Sequence, residues 1–476
     1  MPMLLMSCEH FNMLFRSQKT MTQVKVGLEI HVYPRMEYAC KLFCDCPIDP
    51  EAAANTNICP VCTAQPGAKP MRANREAVVK TLALARLFNA EASSRFAFQR
   101  KHYSWPDLPA GYQRTMSGSY ALPAARDGSF AGIRIEQVHL EEDPARWDPQ
   151  TGRVDYNRSG VPLVEIVTAP DFTSAEQVRE WLEHLRLRLD YAGCYDERFG
   201  VKADVNVSLA PRYERVEIKN INAFSAIVDA IRFEQKRQEG EERIPPQTRA
   251  WTGTETVFMR KKERAQDYHF IPEQDLPVIP LTDDLISEAR ELLARDPDVV
   301  VSSLQEAGVS EEDAQIIVQS PFVAEYAEYL IREGIGGRFA GAFMRREFLR
   351  VVNYAHAHPR MFAGSCEHVL ALARLLAERK VSDRVGRELM ERLFREDFDV
   401  DAYVAEHDLL VVGDDAFVEG IVDEVIGEQE GAVADYRAGK DEVLNFLAGQ
   451  VMRKSKGKAD VRRVRELLIA RLGRHA

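Results

Sequence analysis

The chain has 476 residues, enough for two to four domains, and 45% of them are apolar, enough for ordinary globular cores. Its formal net charge of -12 argues against nonspecific binding of nucleic acid and leaves local basic patches as the route to RNA. No apolar run is long enough to span a bilayer, and the short Met3-Leu4-Leu5-Met6 stretch lacks the length and cleavage site of a signal peptide, so a cytoplasmic protein with no membrane partner is expected.

Residues 1–20 read as a flexible extension or a mis-set start, because Met21 stands just before the first clear element. From Val24 to Val32 the apolar residues Val24, Val26, Leu28, Ile30 and Val32 occupy every second position, which is strand periodicity. The other face carries Lys25, Gly27, Glu29 and His31. A carboxylate beside an imidazole on a strand is a start for a divalent-metal or proton-transfer site. A solvated strand face is the plain alternative.

Cys44-Asp45-Cys46 is followed by Cys59-Pro60-Val61-Cys62. Two close thiol pairs in an intracellular chain suit a closed, tetrahedral, structural zinc site better than a disulfide framework. Cys40 is a possible substitute ligand, whereas Cys8, Cys194 and Cys366 stand alone. A helix is expected over about Arg72 to Phe88, with Val78, Val79, Leu82 and Ala85 on its apolar side.

Arg100 to Gln113 combines cations, aromatics and prolines, with little room for a regular helix. Lys101 is a candidate to hold a phosphate as a point charge, and Tyr103 or Trp105 to stack on a base. The alternative is an ordered loop packed by its own aromatics. Ile133 to Asp143 reads as a strand ending in Glu141, Glu142 and Asp143, and the run from Val154 to Val167 ends in an apolar strand interrupted by Glu165. A carboxylate in an apolar strand needs a partner or a metal. Glu29, Glu142 and Glu165 with His31 would form a mostly oxygen site suited to Mg²⁺. Neither a phosphate-binding G-x-x-x-x-G-K-[ST] loop nor a protein-kinase motif set occurs, so any nucleotide site has another design.

From about Leu285 the pattern turns helical, with Ile286, Leu292 and Leu293, then Val369, Leu372 and Leu376, at three-and-four spacing. Turn signals between Asp397 and Gly413 suggest a boundary. Beyond it, Val461, Val464, Leu467, Leu468 and Leu472 form an apolar stripe. Arg453, Lys454, Lys456, Lys458, Arg462, Arg463, Arg465, Arg471 and Arg474 make this end basic, a natural place to dock RNA.

Taken together, Gly27 to Val32, Lys41 to Cys44, Asn55 to Cys62, Arg100 to Tyr103, Pro106 to Pro109, His139 to Asp143, Asp155 to Val167, Val216 to Asn222, Asp267 to Pro277 and Asp435 to Lys440 resemble the B subunit (GatB) of the tRNA-dependent amidotransferase. So do Gly449 to Met452 and Lys456 to Ala459, so the resemblance runs from about residue 24 to 475. It implies an α+β fold: a cradle-like catalytic domain over 21–285 with the zinc site, a helical domain over 286–405 and a tRNA-binding helical tail over 406–476.

The resemblance also implies a reaction. ATP phosphorylates the side-chain carboxylate of aspartate or glutamate esterified to tRNA, and ammonia displaces the phosphate. The implied partners are the amidase (glutaminase) A subunit, the small C subunit and the mischarged tRNA, and the implied cofactors are ATP, Mg²⁺ and Zn²⁺. Carried over by position, Glu29, His31, Glu142 and Glu165 would surround the metal, Lys101 would contact ATP phosphate and Tyr103 would border the nucleotide. Cys44, Cys46, Cys59 and Cys62 would hold zinc. Strand alternation puts Glu141 and Glu142 on opposite faces, so one of the two is a bystander.

The chain departs from the family pattern at Arg198, where an acid is usual, and at Lys202, where an arginine is usual. His102, Tyr33 and Thr63-Ala64-Gln65 also differ, and Gly334 to His358 matches poorly. A non-catalytic, zinc-stabilised tRNA-binding paralogue is therefore the competing reading.

Overall fold

The structure is a computed structural model that describes residues 23–211, 214–219, 221, 224–262, 265–293, 295–411, 415–455, 459 and 461–473. The expected extension over 1–20, Cys8, Asn220, Asn222, Lys456, Gly457, Lys458 and Arg474 lie outside the described residues. The chain divides into two compact units, Met1–Asp296 and Pro297–Ala476. The fold is α+β, a mixed sheet followed by helices.

The first unit is built on a twelve-stranded sheet with the strand Val24–Val32 at its middle. This central strand lies between Pro162–Thr168 on one side and Val201–Leu209 on the other, antiparallel to both. Beyond Pro162–Thr168 come Ile133–Glu142, Tyr112–Thr115, Gln99–His102 and Ile271–Pro272. Beyond Val201–Leu209 come Val216–Lys219, Gln247–Trp251 and Thr256–Lys261. Strands remote in sequence thus become neighbours across the centre.

The alternation in Val24–Val32 sorts its two faces as the sequence suggests. Val24, Val26, Leu28, Ile30 and Val32 are buried in one core with Val138, Leu140, Val164, Ile166, Val205 and Val207. Four helices lay apolar residues against that core. Arg75–Leu87 contributes Val78, Val79 and Leu82, Ala175–Ala192 contributes Val178, Trp181 and Leu185, Phe224–Glu239 contributes Ile227 and Ile231, and Asp283–Glu291 contributes Leu285 and Ala289. The first of these helices starts three residues later than the periodicity suggests. Asn74 caps it by accepting from the Glu76 and Ala77 N–H groups, and Pro70 lies ahead of it.

In the second unit, Phe348 stacks on Phe362 at 4.3 Å and Tyr326 lies 5.0 Å from Phe348. A single π turn, Met344–Phe348, interrupts the helical run. The tail helices Asp415–Glu428, Glu430–Arg437, Val443–Lys454 and Val461–Leu472 enclose their own core. Val464, Leu467, Leu468 and Leu472 enter it, but Val461, expected in the same stripe, is 46% exposed because it opens its helix. The basic end is partly neutralised: Lys454 pairs with Glu424 and Glu428, and Arg471 with Glu419 and Asp423.

Candidate active site

The four-thiol group lies in the loops between the central strand and the helix Arg75–Leu87. One sulfur from each of Cys44, Cys46, Cys59 and Cys62 falls within 4.8 Å of the other three. Cys62 Sγ is 3.9 Å from Cys59 Sγ and 4.0 Å from Cys46 Sγ. A tetrahedral zinc with bonds of about 2.3 Å sets sulfurs roughly 3.8 Å apart, so the arrangement fits that ion. The Cys59 N–H donates to Cys62 Sγ at 3.2 Å, and the buried Lys41 ammonium lies 3.4 Å from the same sulfur. A hydrogen bond with the Cys44 thiol, together with these two groups, lowers Cys62 to about 4, while Cys44 is pushed up. Cys40 stays outside the group.

This knuckle braces the neighbouring loop. Ser159 Oγ donates to Cys62 O at 2.8 Å, and Leu42 N donates to Gly160 O at 2.8 Å. Gly160 takes φ +83, a left-handed conformation that side chains other than glycine rarely adopt. Directly after it begins the strand that carries Glu165.

The polar face of the sheet holds the second cluster. Register places His139, Glu165, His31 and Lys202 side by side on four adjacent strands. Glu165 Oε2 is 3.2 Å from His139 Nε2 and 3.9 Å from His31 Nε2, and Glu141 Oε2 is 3.8 Å from His139 Nε2. His139, Glu141 and Glu165 offer ligand atoms within 4.8 Å of one another. Two carboxylates and an imidazole suit a divalent cation, and His31 stands at the rim.

Burial works against the charge on Glu165, but His139, His31 and Lys101 outweigh it and hold the carboxyl low. Burial likewise opposes the His139 imidazolium and is outweighed by Glu165 and Glu141, so His139 titrates high. Glu141 is raised by burial and by Glu165. His139 Nδ1 is buried with no hydrogen-bond partner among the described residues.

Other expected residues fall elsewhere. Glu142 is not brought to this cluster. Its side chain turns to the opposite face, where Oε1 accepts from Arg114 N at 2.9 Å and from Arg114 Nη1 at 3.1 Å. Its neighbour Glu141 takes the inner position, as strict alternation after Leu140 demands. Glu29 lies in a separate carboxylate group with Asp204 and Glu217, paired with Arg215 and accepting from Asn206 Nδ2 at 3.2 Å. Lys219 joins that group through Asp204 and Glu217.

Lys101 acts electrostatically on His139, Glu141 and Glu165. Its ammonium lies 4.8 Å from the Tyr268 ring centre and 5.9 Å from that of Tyr103. Tyr103 is half-buried, edge-on to Tyr268, so its ring is already engaged. Reading the residues singly missed His139 as a cluster member. The signal was present, since His139 and Glu141 repeat the two-residue spacing of Glu29 and His31.

Fold and clusters together define an α+β protein in which a closed thiol knuckle braces an open histidine–carboxylate site on a sheet. Two family models match the chain: the GatB/GatE catalytic domain over residues 24–287 and the GatB domain over residues 325–472. The chain belongs to this family, that of the tRNA-dependent amidotransferase B subunit. It is 40% identical to the B subunit of the aspartyl/glutamyl-tRNA(Asn/Gln) amidotransferase of Methanopyrus kandleri over 95% of this chain and 99% of that protein. It is 40% identical to the protein of the same name from Methanothermobacter thermautotrophicus, over 94% of this chain and 100% of the other. The counterpart from Methanocaldococcus jannaschii is 38% identical, over 94% and 98%. Among the described residues no helix is long and apolar enough to cross a membrane.

Proposed function

We propose that this protein is the carboxylate-activating component of an amidotransferase acting on Asp-tRNA(Asn), Glu-tRNA(Gln) or both. A carboxylate is a poor acyl donor because oxide or hydroxide must leave. In the proposed reaction an oxygen of the esterified side chain attacks the terminal phosphorus of ATP and ADP departs. Ammonia then attacks the acyl phosphate, the C–N bond forms, and phosphate leaves with the side-chain oxygen. The ammonia comes from a partner glutaminase.

Phosphoryl transfer is mainly positioning and charge neutralisation. His139, Glu141, Glu165 and His31 would hold Mg²⁺, which when bound neutralises phosphate charge. Lys101, poised between two aromatic rings beside those carboxylates, would meet the nucleotide phosphates as a point charge. Glu165, kept ionised by its imidazole neighbours, would stay a ligand across the working pH range. The four thiols would hold Zn²⁺ as a structural brace. The observation that carries the reading is the His139–Glu165–His31 row with Glu141 beside it.

The test is ATP hydrolysis with Mg²⁺, glutamine and the co-purified amidase partner. Asp-tRNA, Glu-tRNA or uncharged tRNA is added in separate reactions, and the esterified amino acid is analysed. Amide formation with a charged tRNA is expected. ATP turnover that ignores the charging state, or none at all despite tRNA binding, would sink the reading.

A further inference from the structure

We propose that the cavity beside the histidine–carboxylate row, on its Lys202 side, is a phosphate-binding pocket. It encloses about 290 Å³ and is lined by Arg146, Arg158, Arg198 and Lys202, with Asp49 and Asp155 as the acids of its wall. Lys202 is the direct cross-strand neighbour of His31, so the pocket opens one strand away from the cluster.

The charges of the wall are not equally occupied. Asp155 Oδ1 accepts from the backbone of Asn55 and Asn157 at 3.0 Å each, and Asp49 Oδ1 from Glu51 N at 3.0 Å. Arg198 is paired with Asp196. Arg158 is clamped: Nε and Nη2 donate to the carbonyls of Pro144 and Ala145 at 3.0 and 2.9 Å, and Nε lies 3.1 Å from Asp143. Asp143 in turn accepts from Tyr33 Oη at 2.8 Å.

Arg146 and Lys202 have no carboxylate within ion-pair distance among the described residues. Among the described residues, the Lys202 ammonium meets only the Tyr33 hydroxyl, at 3.4 Å, and the ring of that tyrosine, stacked on Phe199. Arg146 and Arg158 line the same cavity wall as this ammonium. A half-buried cation beside two arginines is short of negative charge. An anion that reaches several cations at once supplies it. Rigid arginine forks with a lysine point charge match the spread oxygens of a phosphate.

The chemistry stands on the pocket alone; only the source of the phosphate rests on the function proposed above. That source is either a free nucleotide or the backbone of the charged RNA near its 3′ end. The full-length chain is titrated with inorganic phosphate by ³¹P nuclear magnetic resonance, together with Lys202→Gln, Arg146→Gln and the remote control Lys380→Gln. Removing one charge-assisted contact weakens binding about tenfold. That loss is expected in the two pocket variants and not in the control. Arg146 is exposed, so Arg146→Gln keeps the test open should Lys202→Gln misfold.

Two further arms, ATP and an uncharged acceptor-stem RNA ending in CCA, identify the source. A loss confined to ATP assigns the pocket to the nucleotide. A loss in the RNA arm, with a log–log salt slope shallower by about 0.7 per lost contact, assigns it to the backbone. Either supports the proposal. Unsaturable phosphate binding, equal affinity in all variants, or loss of inorganic phosphate with both other ligands unaffected would overturn it. No arm reads amide formation. Lys202-dependent phosphate binding in a protein inactive toward every charged tRNA would refute the functional reading and leave the pocket standing.

Discussion

At the scale of single residues, the sharpest question is which of two adjacent glutamates does the chemistry. Glu141 and Glu142 differ only in the face they occupy, and the structure sends one to His139 and the other to Arg114. Glu141→Gln should therefore cut divalent-metal affinity and ATP-dependent turnover by roughly 100-fold with the melting temperature little changed. Glu142→Gln should do the reverse, costing about 1–3 kcal/mol of stability through its buried Arg114 bonds. Calorimetric unfolding and metal titration of both variants separate the cases; equal loss of turnover would refute the assignment. A second residue was invisible to motif reading. Lys41 sits among motif residues, yet it is 1% exposed, with its ammonium 3.0 Å from Tyr156 O and 3.4 Å from Cys62 Sγ. Four thiolates around Zn²⁺ carry net negative charge, and Lys41 offsets it. Lys41→Met should lower zinc affinity 10- to 100-fold, read by competition with a chromogenic chelator. Zinc retention equal to wild type would show that the lysine is only filler.

At the scale of elements, alternation and spacing carried far. The central strand, the strand into Glu141, the Glu165 strand and the thiol pairs were all legible because their signals are local. The register between strands was not. Glu165 meets His31 and His139 only because Val24–Val32 and Ile133–Glu142 flank the same later strand, a long-range pairing no periodicity encodes. Glu29 lies in a separate carboxylate group for the same reason, since Arg215 and Asp204 arrive from distant strands and loops. The short strand Ile271–Pro272 is another such arrival, and just past it Glu273 is buried between Arg100 and Arg114. Arg100 Nε donates to it at 2.9 Å and Arg114 Nε at 3.0 Å. Burial would raise this carboxyl, but the Arg100 hydrogen bond and the other arginine hold it below its ordinary value. The unfolded chain therefore takes up the proton more readily. The stabilisation is fully present above about pH 4.3 and is lost as pH falls through the lowered native value. Glu273→Gln should cost about 3 kcal/mol at pH 7, and urea titrations should show the gap to wild type closing toward pH 3. A gap constant with pH would mean the carboxylate charge is not what ties this segment down.

At the scale of the whole molecule, the family resemblance foretold an α+β part, and the helical turn in pattern near Leu285 a helical part after it. The helix Asp283–Glu291 looked like the start of the second part because its periodicity is helical. Its Leu285 and Ala289 nevertheless enter the core of the first, and Glu288 pairs with Arg75. Periodicity reports that a helix has an apolar side, not which core receives it. Among the described residues, the core of the first unit ends at Leu293 and the tail core begins at Val418. A fragment spanning residues 23–296 thus contains all the described residues of the first unit's apolar core. Expressed alone with zinc, it should unfold in a single cooperative calorimetric transition and retain the divalent-metal affinity of the full chain, because the His139–Glu165–His31 row lies wholly within it. A fragment ended at residue 282 leaves the apolar side of Arg75–Leu87 without Leu285 and Ala289. Losing two such contacts costs several kcal/mol, on the order of 2–5 for a buried leucine alone. The shorter fragment should therefore melt well below the longer one. Equal melting of the two would show that Asp283–Glu291 belongs energetically to the helical part after all.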